Sequence, residues 1–520
     1  MRKEVILVNL PPGKDHRYDN AGSIYPATGI MIIGTILKKR GINVRLIDGA
    51  VDPFYEKTVL GNVSDETVFV GFSTMTSQLM MAYKLAKKIK EKRKNLPIVF
   101  GGIHPTLFPE GTVDTPYIDI AVVNEGAKTV LDIMEHIDGN MPLDEIKGIA
   151  FKGHDGRVKI TLPRDLDDIS EIPHFDFELL DMEKYLNASS VYKRELDFSG
   201  DKKVRLMPIL TGLGCCFRCA FCINVILKRR YRLRPAASII QEIKRLQSEY
   251  GANAFLFLDE DFCINKNRLA EFIDLVKKED LKFAGRIWAR VSFFRMDSFK
   301  KMVPELERTG IKSIAMGAES ASQRMLDYIQ KDIRSEDIMI AAEELAKVKI
   351  TPRFSFIAGM EGERKEETIA TYKMCAELLR LNPRTDIAGP FTFRYYPGSP
   401  IFKAMVEKYN IALPDSIDEW DRALNNDGSL IVDMQKWTWP GFVEYSESMR
   451  NYINLYTLIL NSPRWRNGFF CKVIRRMILW RISCGEYFYK LDYYFTQFAK
   501  RIRKFFITLK SRVRTLGHNK

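Results

Sequence analysis

The first 140 residues alternate continuous apolar runs with longer stretches in which apolar positions recur at helical spacing. Continuous Val- and Ile-rich runs are typical of parallel strands buried on both faces, and intervening helices cover those faces. The pattern therefore predicts a doubly wound parallel α/β sheet over residues 1–140. Its candidate strands end at Leu10, Asp48, Thr74, Gly102 and Gly126.

Polar and glycine residues gather where these candidate strands end. Doubly wound sheets bind their ligands at the carboxyl ends of the strands. We therefore expect a ligand site that includes Asn9, Ser73, Thr74, Gly101, Gly102, His104, Glu125 and Gly126.

The periodic pattern breaks up over residues 141–203, which are interpreted as a linker. It contains a predicted hairpin around His154 to Gly156 and an acidic connector punctuated by prolines. From residue 204 to 411, strand and helix alternate six times, which predicts a partial (β/α)6 barrel. The candidate strands of this barrel are Arg205–Leu210, Ala254–Asp259, Ala284–Val291, Ile311–Gly317, Arg353–Ala358 and Gly389–Arg394.

Residues 412–520 lack strand patterning and are predicted to form a helical region. Two amphipathic helices rich in aromatic and basic residues are expected, one from Phe470 to Ile478 and one from Leu491 to Phe506. From Asn461 onward, fifteen Lys and Arg residues stand against two acidic residues, so the tail carries nearly all of the net charge of +14. Because the rest of the chain is close to neutral, no specific nucleic-acid partner is expected.

Three functions are compatible with this basic tail. Aromatic residues on one helix face and basic residues on the other fit a helix lying in the plane of an anionic bilayer surface. The apolar stripes can instead pack on the barrel and leave the charges in water. Contact with RNA or an acidic substrate is the third alternative. Membrane contact would favour a lipid-like substrate.

The composition is that of a folded protein of several domains. The 520 residues are 46% hydrophobic and 28% charged, which excludes a disordered or fibrous chain. No run of eighteen uncharged apolar residues occurs, and the N-terminus lacks the pattern of a signal peptide. We therefore expect a cytoplasmic protein, with peripheral contact at the inner membrane face if the tail binds lipid.

Four of the eight cysteines lie within eight residues, and three of them have the spacing C-x3-C-x2-C. Cys215, Cys219 and Cys222 can hold three irons of a [4Fe–4S] cluster and leave the fourth iron open to a small molecule. A structural zinc site would need a fourth ligand. The nearest histidine is His174, and Cys216 beside Cys215 is awkwardly placed for this purpose.

This cysteine motif, with an aromatic residue before its last cysteine, resembles that of the radical S-adenosylmethionine superfamily. The resemblance implies that the methionine part of S-adenosylmethionine (SAM) chelates the open iron and that its cleavage yields a 5′-deoxyadenosyl radical. It also implies SAM contacts from several residues around the barrel. These residues are Phe221, Arg290 for the carboxylate, Glu319 and Ser320 for the ribose or methionine, and Gly359 for the adenine.

The remaining strand ends of the barrel carry acidic and aromatic residues. Barrel enzymes keep their active sites at these ends. Candidates for the substrate side are Asp259, Glu260, Asp261 and Tyr395, without assigned catalytic roles. Two departures from the family pattern are visible: Cys216 within the motif and the sequence GMEGE after the fifth strand.

The N-terminal domain resembles the cobalamin-binding domain found in many radical SAM enzymes. The matching pieces are NLPP, YPATGI with Thr28, GFSTMTSQ, GGIHPT and VVNEG. The D-x-H-x-x-G motif, whose histidine binds cobalt, is absent because Asp15 and His16 are adjacent. The resemblance thus implies a cobalt that this histidine does not bind. The alternative is that the sheet is retained without cobalamin.

Together these features predict a radical SAM enzyme, and in particular a cobalamin-dependent methyltransferase acting on an unactivated carbon. Such an enzyme needs a one-electron reductant such as flavodoxin or ferredoxin. The first alternative is a radical oxidative cyclase or carbon–carbon coupling enzyme that does not use cobalamin. The second is a cofactor-binding sensor, against which the six polar strand ends argue.

Overall fold

The structure, a computed structural model, describes residues 3–11, 26–186, 196, 204–227, 230–425, 429–431, 437–461 and 469–485. The second amphipathic helix predicted in the tail lies outside these residues. None of the helices in the described part of the chain is both long and apolar enough to cross a membrane.

The N-terminal domain is built on a seven-stranded sheet with the strand order β2-β1-β3-β4-β5-β6-β7. The first five strands are parallel, as predicted, and β6 and β7 are antiparallel. The strands are β1 (Glu4–Asn9), β2 (Asn43–Asp48), β3 (Thr67–Ser73), β4 (Ile98–Gly101), β5 (Ile120–Val122), β6 (Ile149–Lys152) and β7 (Val158–Ile160).

The hairpin that we assigned to the linker is β6–β7, and it extends this first sheet beyond residue 140. Its strand β6 pairs with β5, whose backbone N–H and C=O groups would otherwise form an open edge. The helices of this part are α1 (Thr28–Lys39), α2 (Tyr55–Asn62), α3 (Leu79–Lys92), α4 (Ile103–Leu107), α5 (Pro109–Val113), α6 (Thr129–Ile137) and α7 (Glu183–Leu186).

The central domain is a curved six-stranded parallel sheet with the order β15-β14-β13-β12-β11-β8. The edge strands β8 and β15 do not pair with each other, so the barrel is partial, as predicted. A small antiparallel hairpin, β9 with β10, follows β8. The strands are β8 (Leu206–Leu210), β9 (Gly212–Leu213), β10 (Arg232–Leu233), β11 (Ala254–Leu258), β12 (Ala284–Trp288), β13 (Ile311–Glu319), β14 (Thr351–Ala358) and β15 (Asp386–Thr392).

Helices cover the outer face of the barrel. Two of them have typical terminal residues. The Asn265 side chain caps one helix N-terminus, and Gly251 ends another helix in the left-handed conformation. These helices are α8 (Ile223–Ile226), α9 (Ala236–Tyr250), α10 (Lys266–Lys278), α11 (Asp297–Lys300), α12 (Val303–Arg308), α13 (Gln323–Tyr328), α14 (Glu336–Ala346) and α15 (Lys365–Leu381).

The C-terminal region is helical, as predicted, and packs on the barrel. Its last helix lies against α15 and buries Cys471, Ile478 and Ile482 in the main hydrophobic core. The helices are α16 (Pro400–Lys408), α17 (Ile417–Ala423), α18 (Phe442–Asn461) and α19 (Phe469–Cys484). Four short 3-10 turns complete the elements: Thr76–Gln78, Leu143–Glu145, Phe177–Leu179 and Val291–Arg295.

Candidate active site

The cysteine motif lies on a loop at the carboxyl end of the first barrel strand. Gly214 separates its first cysteine from β9, and Cys222 immediately precedes α8. Cys219 is buried, Cys215 and Cys222 are partly buried, and all three thiols are free. The backbone of Ala220 fixes the loop, because its N–H donates to the carbonyl of Ile329 at 2.9 Å and its carbonyl accepts the amide of Ile401.

Burial affects the protonation of two of the motif thiols. It raises the pKa of the Cys215 thiol to about 11 and also raises the pKa of Cys222. These two thiols are therefore protonated at neutral pH until a metal displaces the protons. Within the described ranges, no three His, Cys, Asp or Glu side chains are arranged around a single metal ion.

Arg290 is a buried cation beside the cysteine loop. It follows β12, is 7% exposed and stacks on the ring of Phe217 from the loop, with its guanidinium carbon 3.6 Å from the ring centroid. In the described part of the chain, its Nε and Nη2 atoms have no hydrogen-bond partner. Because buried donors in native proteins are almost always paired, this side chain fits an anionic ligand such as a carboxylate.

A buried ion pair also lies beside the loop. The Nζ atom of Lys331 is 2.9 Å from the carboxylate of Glu319 at the end of β13, and it lies over the ring of Phe221 at 5.8 Å from the centroid. The structure thus brings Phe221, Arg290 and Glu319 to the cysteine loop. Gly317 makes room for this pair, since a Cβ there would clash with both charged groups.

The other two predicted SAM contacts are engaged inside the protein. The hydroxyl of Ser320 is fully buried and accepts the backbone N–H of Ser322 at 3.1 Å. Gly359 has a φ of +82°, and the ring of Phe442 packs where a side chain would begin. Both residues therefore have a structural function within the fold.

Of the three acidic residues after the second barrel strand, Asp259 and Asp261 are buried and Glu260 is exposed. The Asp259 carboxylate is buried, accepts a hydrogen bond from Arg268 at 2.9 Å and packs against Gly212 of β9. Asp261 is also buried, and burial together with Asp259 raises its pKa to about 8. Glu260 is exposed, and its charge contributes to the raised pKa values of Cys215 and Cys222.

Tyr395, the remaining candidate for the substrate side, is buried among aromatic rings. It forms edge-on contacts with Phe393 and Trp437. Its hydroxyl has no hydrogen-bond partner among the described residues, and burial raises its pKa.

A cavity of about 400 Å³ opens at the carboxyl edge of the first sheet. Its walls come mainly from that sheet and from α1 and α6, but Leu210 and Leu213 of the barrel also contribute. The lining is mostly apolar with several glycines, as expected of a ligand pocket of this size. Six of the nine residues predicted for this site line it: Thr28, Ser73, Gly101, Gly102, Glu125 and Gly126.

The other three predicted residues do not line this cavity. The Asn9 amide donates to Asp48 at 2.8 Å, and Thr74 is fully buried. His104 packs edge-on against Trp420 of α17, and burial lowers its pKa to about 3. His104 is therefore a buried, neutral residue of the core.

Glu125 connects the cavity to the cysteine loop. Its carboxylate accepts two hydrogen bonds from Arg232 on β10, one of them at 3.0 Å, and Arg232 also donates to the carbonyl of Asp167 in the linker. Since β10 pairs with β9, which leads into the cysteine motif, this ion pair joins the two domains at their candidate sites. Arg232 and Lys331 could not be predicted as site residues from the sequence, because neither belongs to a local motif.

Comparison with known proteins agrees with this geometry. The chain matches the B12 binding domain family over residues 18–134 and the Radical SAM superfamily over residues 209–375. The first range contains most of the residues that line the cavity, and the second contains the cysteine loop.

The chain therefore combines a B12 binding domain with a Radical SAM domain. An uncharacterized methyltransferase of Pyrococcus horikoshii is 27% identical over 442 residues, covering 84% of this chain and 87% of that protein. The anaerobic magnesium-protoporphyrin IX monomethyl ester cyclase of Rubrivivax gelatinosus is 27% identical over 424 residues, covering 77% of this chain and 73% of that protein.

A solved structure shares the fold over nearly the whole chain. The cobalamin-dependent radical SAM enzyme OxsB with aqua-cobalamin bound superposes with a TM-score of 0.69 and 16% identity, covering 92% of this chain and 72% of that one. The Radical SAM domain implies a [4Fe–4S] cluster and SAM, and the B12 binding domain supports cobalamin; these are the three cofactors that the sequence predicts. The cysteine loop, the buried Arg290 and the glycine-lined cavity fit these three groups.

Proposed function

We propose that this enzyme transfers a methyl group to an unactivated carbon of its substrate. The observation that carries the proposal is the junction between the two cofactor sites: Glu125 lines the cavity and pairs with Arg232 beside the cysteine loop. A methyl donor in the first domain and a radical source in the barrel would thus face one substrate. The similarity to a protein named as a methyltransferase supports the same chemistry.

When bound, the cluster and SAM supply a 5′-deoxyadenosyl radical, and cobalamin supplies the methyl group. Cys215, Cys219 and Cys222 hold three irons and leave one iron for the methionine group. Arg290 offers its Nε and Nη2 donors to the SAM carboxylate, and its stacking on Phe217 fixes the guanidinium plane. The buried ion pair of Glu319 and Lys331 holds the edge of the loop on the side of Phe221.

We assign the cavity to one part of cobalamin, because its volume of about 400 Å³ is smaller than the whole cofactor. Gly101, Gly102 and Gly126 allow close approach to the backbone, while Thr28 and Ser73 provide hydroxyl groups at its walls. No histidine is among the described residues that line it, and the loop with Asp15 and His16 lies outside those residues. His104 does not take part in this assignment.

The test is cobalamin retention followed by methyl transfer. The protein is purified anaerobically, its cluster is reconstituted with excess hydroxocobalamin, and cobalt and iron are measured together with the absorbance spectrum. We expect one cobalamin per chain with a base-off spectrum, and transfer of label from methyl-labelled SAM to an acceptor in lipid extracts. Formation of 5′-deoxyadenosine without cobalamin retention would contradict the proposal.

The second candidate is a radical cyclase or coupling enzyme. The similarity to the Rubrivivax cyclase over 77% of this chain favours it. Such an enzyme would form 5′-deoxyadenosine in proportion to a product that carries no label from the SAM methyl group. The methyl-label experiment therefore separates the two reactions.

We further propose a lipid-like small-molecule substrate and peripheral contact with a membrane through the basic C-terminal region. Exposed apolar and basic residues on α19 support this contact. Reduction of the cluster requires a one-electron donor, for which we propose a flavodoxin or ferredoxin. Formation of 5′-deoxyadenosine with each reduced carrier in place of dithionite tests this part.

A further inference from the structure

The outward face of α19 carries apolar and basic side chains next to each other. Val473, Met477 and Trp480 are 40%, 56% and 56% exposed, and Lys472 and Arg476 are exposed as well. With 3.6 residues per turn, these five positions fall within an arc of roughly 140° around the helix. The basic residues occupy one half of the arc and the apolar residues the other half.

The opposite face already holds the helix in the fold. Cys471, Ile478 and Ile482 are buried in the main core, and Gly485 at the end of the helix packs against Ile369 of α15. The helix is thus anchored without its outward face. An exposed cluster that includes a tryptophan is typical of an interaction surface.

The charges decide which partner fits this surface. The helix from Phe469 to Cys484 contains no acidic residue, and it carries four of the positive charges of the basic tail, counting Arg475 and Arg481. Residues 486–520 contain nine Lys and Arg and two acidic residues, so folding that segment over α19 would bring like charges together. A second copy of the chain would oppose the same basic residues to each other.

An anionic lipid surface complements both halves of the arc. Phosphate headgroups pair with Lys472 and Arg476, and the boundary between headgroups and acyl chains accepts Val473, Met477 and Trp480. We propose that α19 lies flat on an anionic bilayer through these five side chains. The proposal rests on the membrane contact proposed above and is independent of the methyl-transfer chemistry in the barrel.

Vesicle flotation of the full-length, cluster-reconstituted protein tests this surface. Wild-type protein is expected to float with vesicles of phosphatidylcholine and phosphatidylglycerol but not with phosphatidylcholine alone. Combined Val473→Ser, Met477→Ser and Trp480→Ser substitutions should abolish flotation. Arg476→Gln should lower the partition coefficient about fivefold, the effect of one cation at an anionic surface. Phe54→Ser, at a residue that is 71% exposed in the first domain, is the matched control and should float normally.

Tryptophan fluorescence gives a second measurement that does not depend on the combined variant. Anionic vesicles should shift the emission of wild-type protein to shorter wavelength, and Trp480→Phe should remove that shift. Iron content and 5′-deoxyadenosine formation should stay at wild-type levels in every variant, which separates this proposal from the proposed reaction.

Four results would overturn the assignment of this surface. The first two are that the combined variant floats normally and that the wild-type protein does not bind anionic vesicles. The third is that the wild-type protein is a dimer and the combined substitutions make it monomeric. The fourth is that the wild-type protein binds RNA but no vesicles, and that the same substitutions remove RNA binding.

Discussion

The carboxylate of Glu125 and the guanidinium of Arg232 form a two-point ion pair between residues 107 positions apart in the chain. Glu125 lies at the end of the first sheet, and Arg232 lies on the hairpin that precedes and follows the cysteine loop. Both side chains are mostly buried, with exposures of 14% and 13%. The pair therefore fixes the cavity of one domain relative to the cysteine loop of the other.

Loss of this pair should weaken the domain junction. Arg232→Met leaves a mostly buried carboxylate without its partner, which we expect to cost about 2 kcal/mol in the free energy of unfolding. Denaturant unfolding measures this cost, and adding Glu125→Gln should recover part of it in a double-mutant cycle. Lys282→Met, which removes an exposed pair with Asp280, is the control and should change stability by less than about 0.5 kcal/mol. Equal losses of stability in Arg232→Met and Lys282→Met would contradict a role of this ion pair at the domain junction.

The three motif cysteines should be separable from their neighbour by iron content. Cys215→Ala, Cys219→Ala and Cys222→Ala each remove one cluster ligand, so we expect each to lose most iron and all formation of 5′-deoxyadenosine. Cys216→Ala is the matched control within the same loop, and it should keep both. A requirement for Cys216 comparable to that for the other three would show that the ligand set is assigned incorrectly.

Arg290 should matter for SAM binding and not for the cluster. Arg290→Gln removes a buried charged donor, and we expect SAM affinity to fall by about ten- to a hundredfold, as for other charge-assisted hydrogen bonds. Equilibrium binding to the reconstituted protein measures this change, with iron content as the check on the cluster. Arg218→Gln, on the same loop but paired with Asp332 in solvent, should bind SAM normally. Unchanged SAM affinity in Arg290→Gln would exclude the proposed carboxylate contact.

Glu363 should make stability depend on pH with an unusual sign. Burial raises its pKa from 4.5 to about 7, although the N–H groups of Gly359 and Met360 donate to it. Between these two pH values the folded state holds more protons than the unfolded state, so this group makes stability fall as pH rises. Glu363→Gln should remove that fall in unfolding experiments from pH 4.5 to pH 7.

Glu367 provides a control of opposite sign on the same helix region. Burial alone would raise its pKa, but hydrogen bonds from Arg324, Arg364 and Ser322 lower it to about 2. Its contribution to stability is present above pH 4.5 and is lost as pH falls toward 2. Glu367→Gln should therefore flatten the acid side of the profile and leave the fall from pH 4.5 to pH 7 in place. The same profile for both variants would rule out the titration assigned to Glu363.

Two glycines in one loop separate packing from backbone strain. Gly359 and Gly362 both have positive φ angles, of 82° and 71°, but only Gly359 has a ring, that of Phe442, against it. Gly362→Ala should cost about 1 kcal/mol for the backbone conformation alone. Gly359→Ala must also displace Phe442 and should cost about 3 kcal/mol in total. Thermal unfolding measures both, and equal costs would contradict the packing of α18 on this loop.

The sequence predicted the parallel strands well because each is a continuous apolar run. The fourth barrel strand, for example, begins at Ile311 in both the prediction and the structure. The last strand begins three residues earlier than predicted, at Asp386, because this residue pairs with Arg353 on β14. The predicted β6–β7 hairpin could not be assigned to a sheet, since its partner β5 is distant in sequence.

The site could be predicted only where local motifs carry it. The cysteine spacing and the strand-end glycines are such motifs, whereas the partners of Glu125 and Glu319 are brought close only by the fold. The tail shows the same limit. The helix predicted from Phe470 to Ile478 forms, but helical spacing alone does not select the arc that packs on the core, and the structure turns Val473 and Met477 outward.

Leu210 and Leu213 close the wall of a cavity that otherwise belongs to the first domain. The first sheet ends at Ile160 of β7, so the ribosome makes all of its strands before it reaches these two residues. A nascent chain that ends before Leu210 therefore has an unfinished pocket, and the wall is complete only after the barrel has folded against the sheet. The pocket is thus a product of two domains, and the second of them completes it.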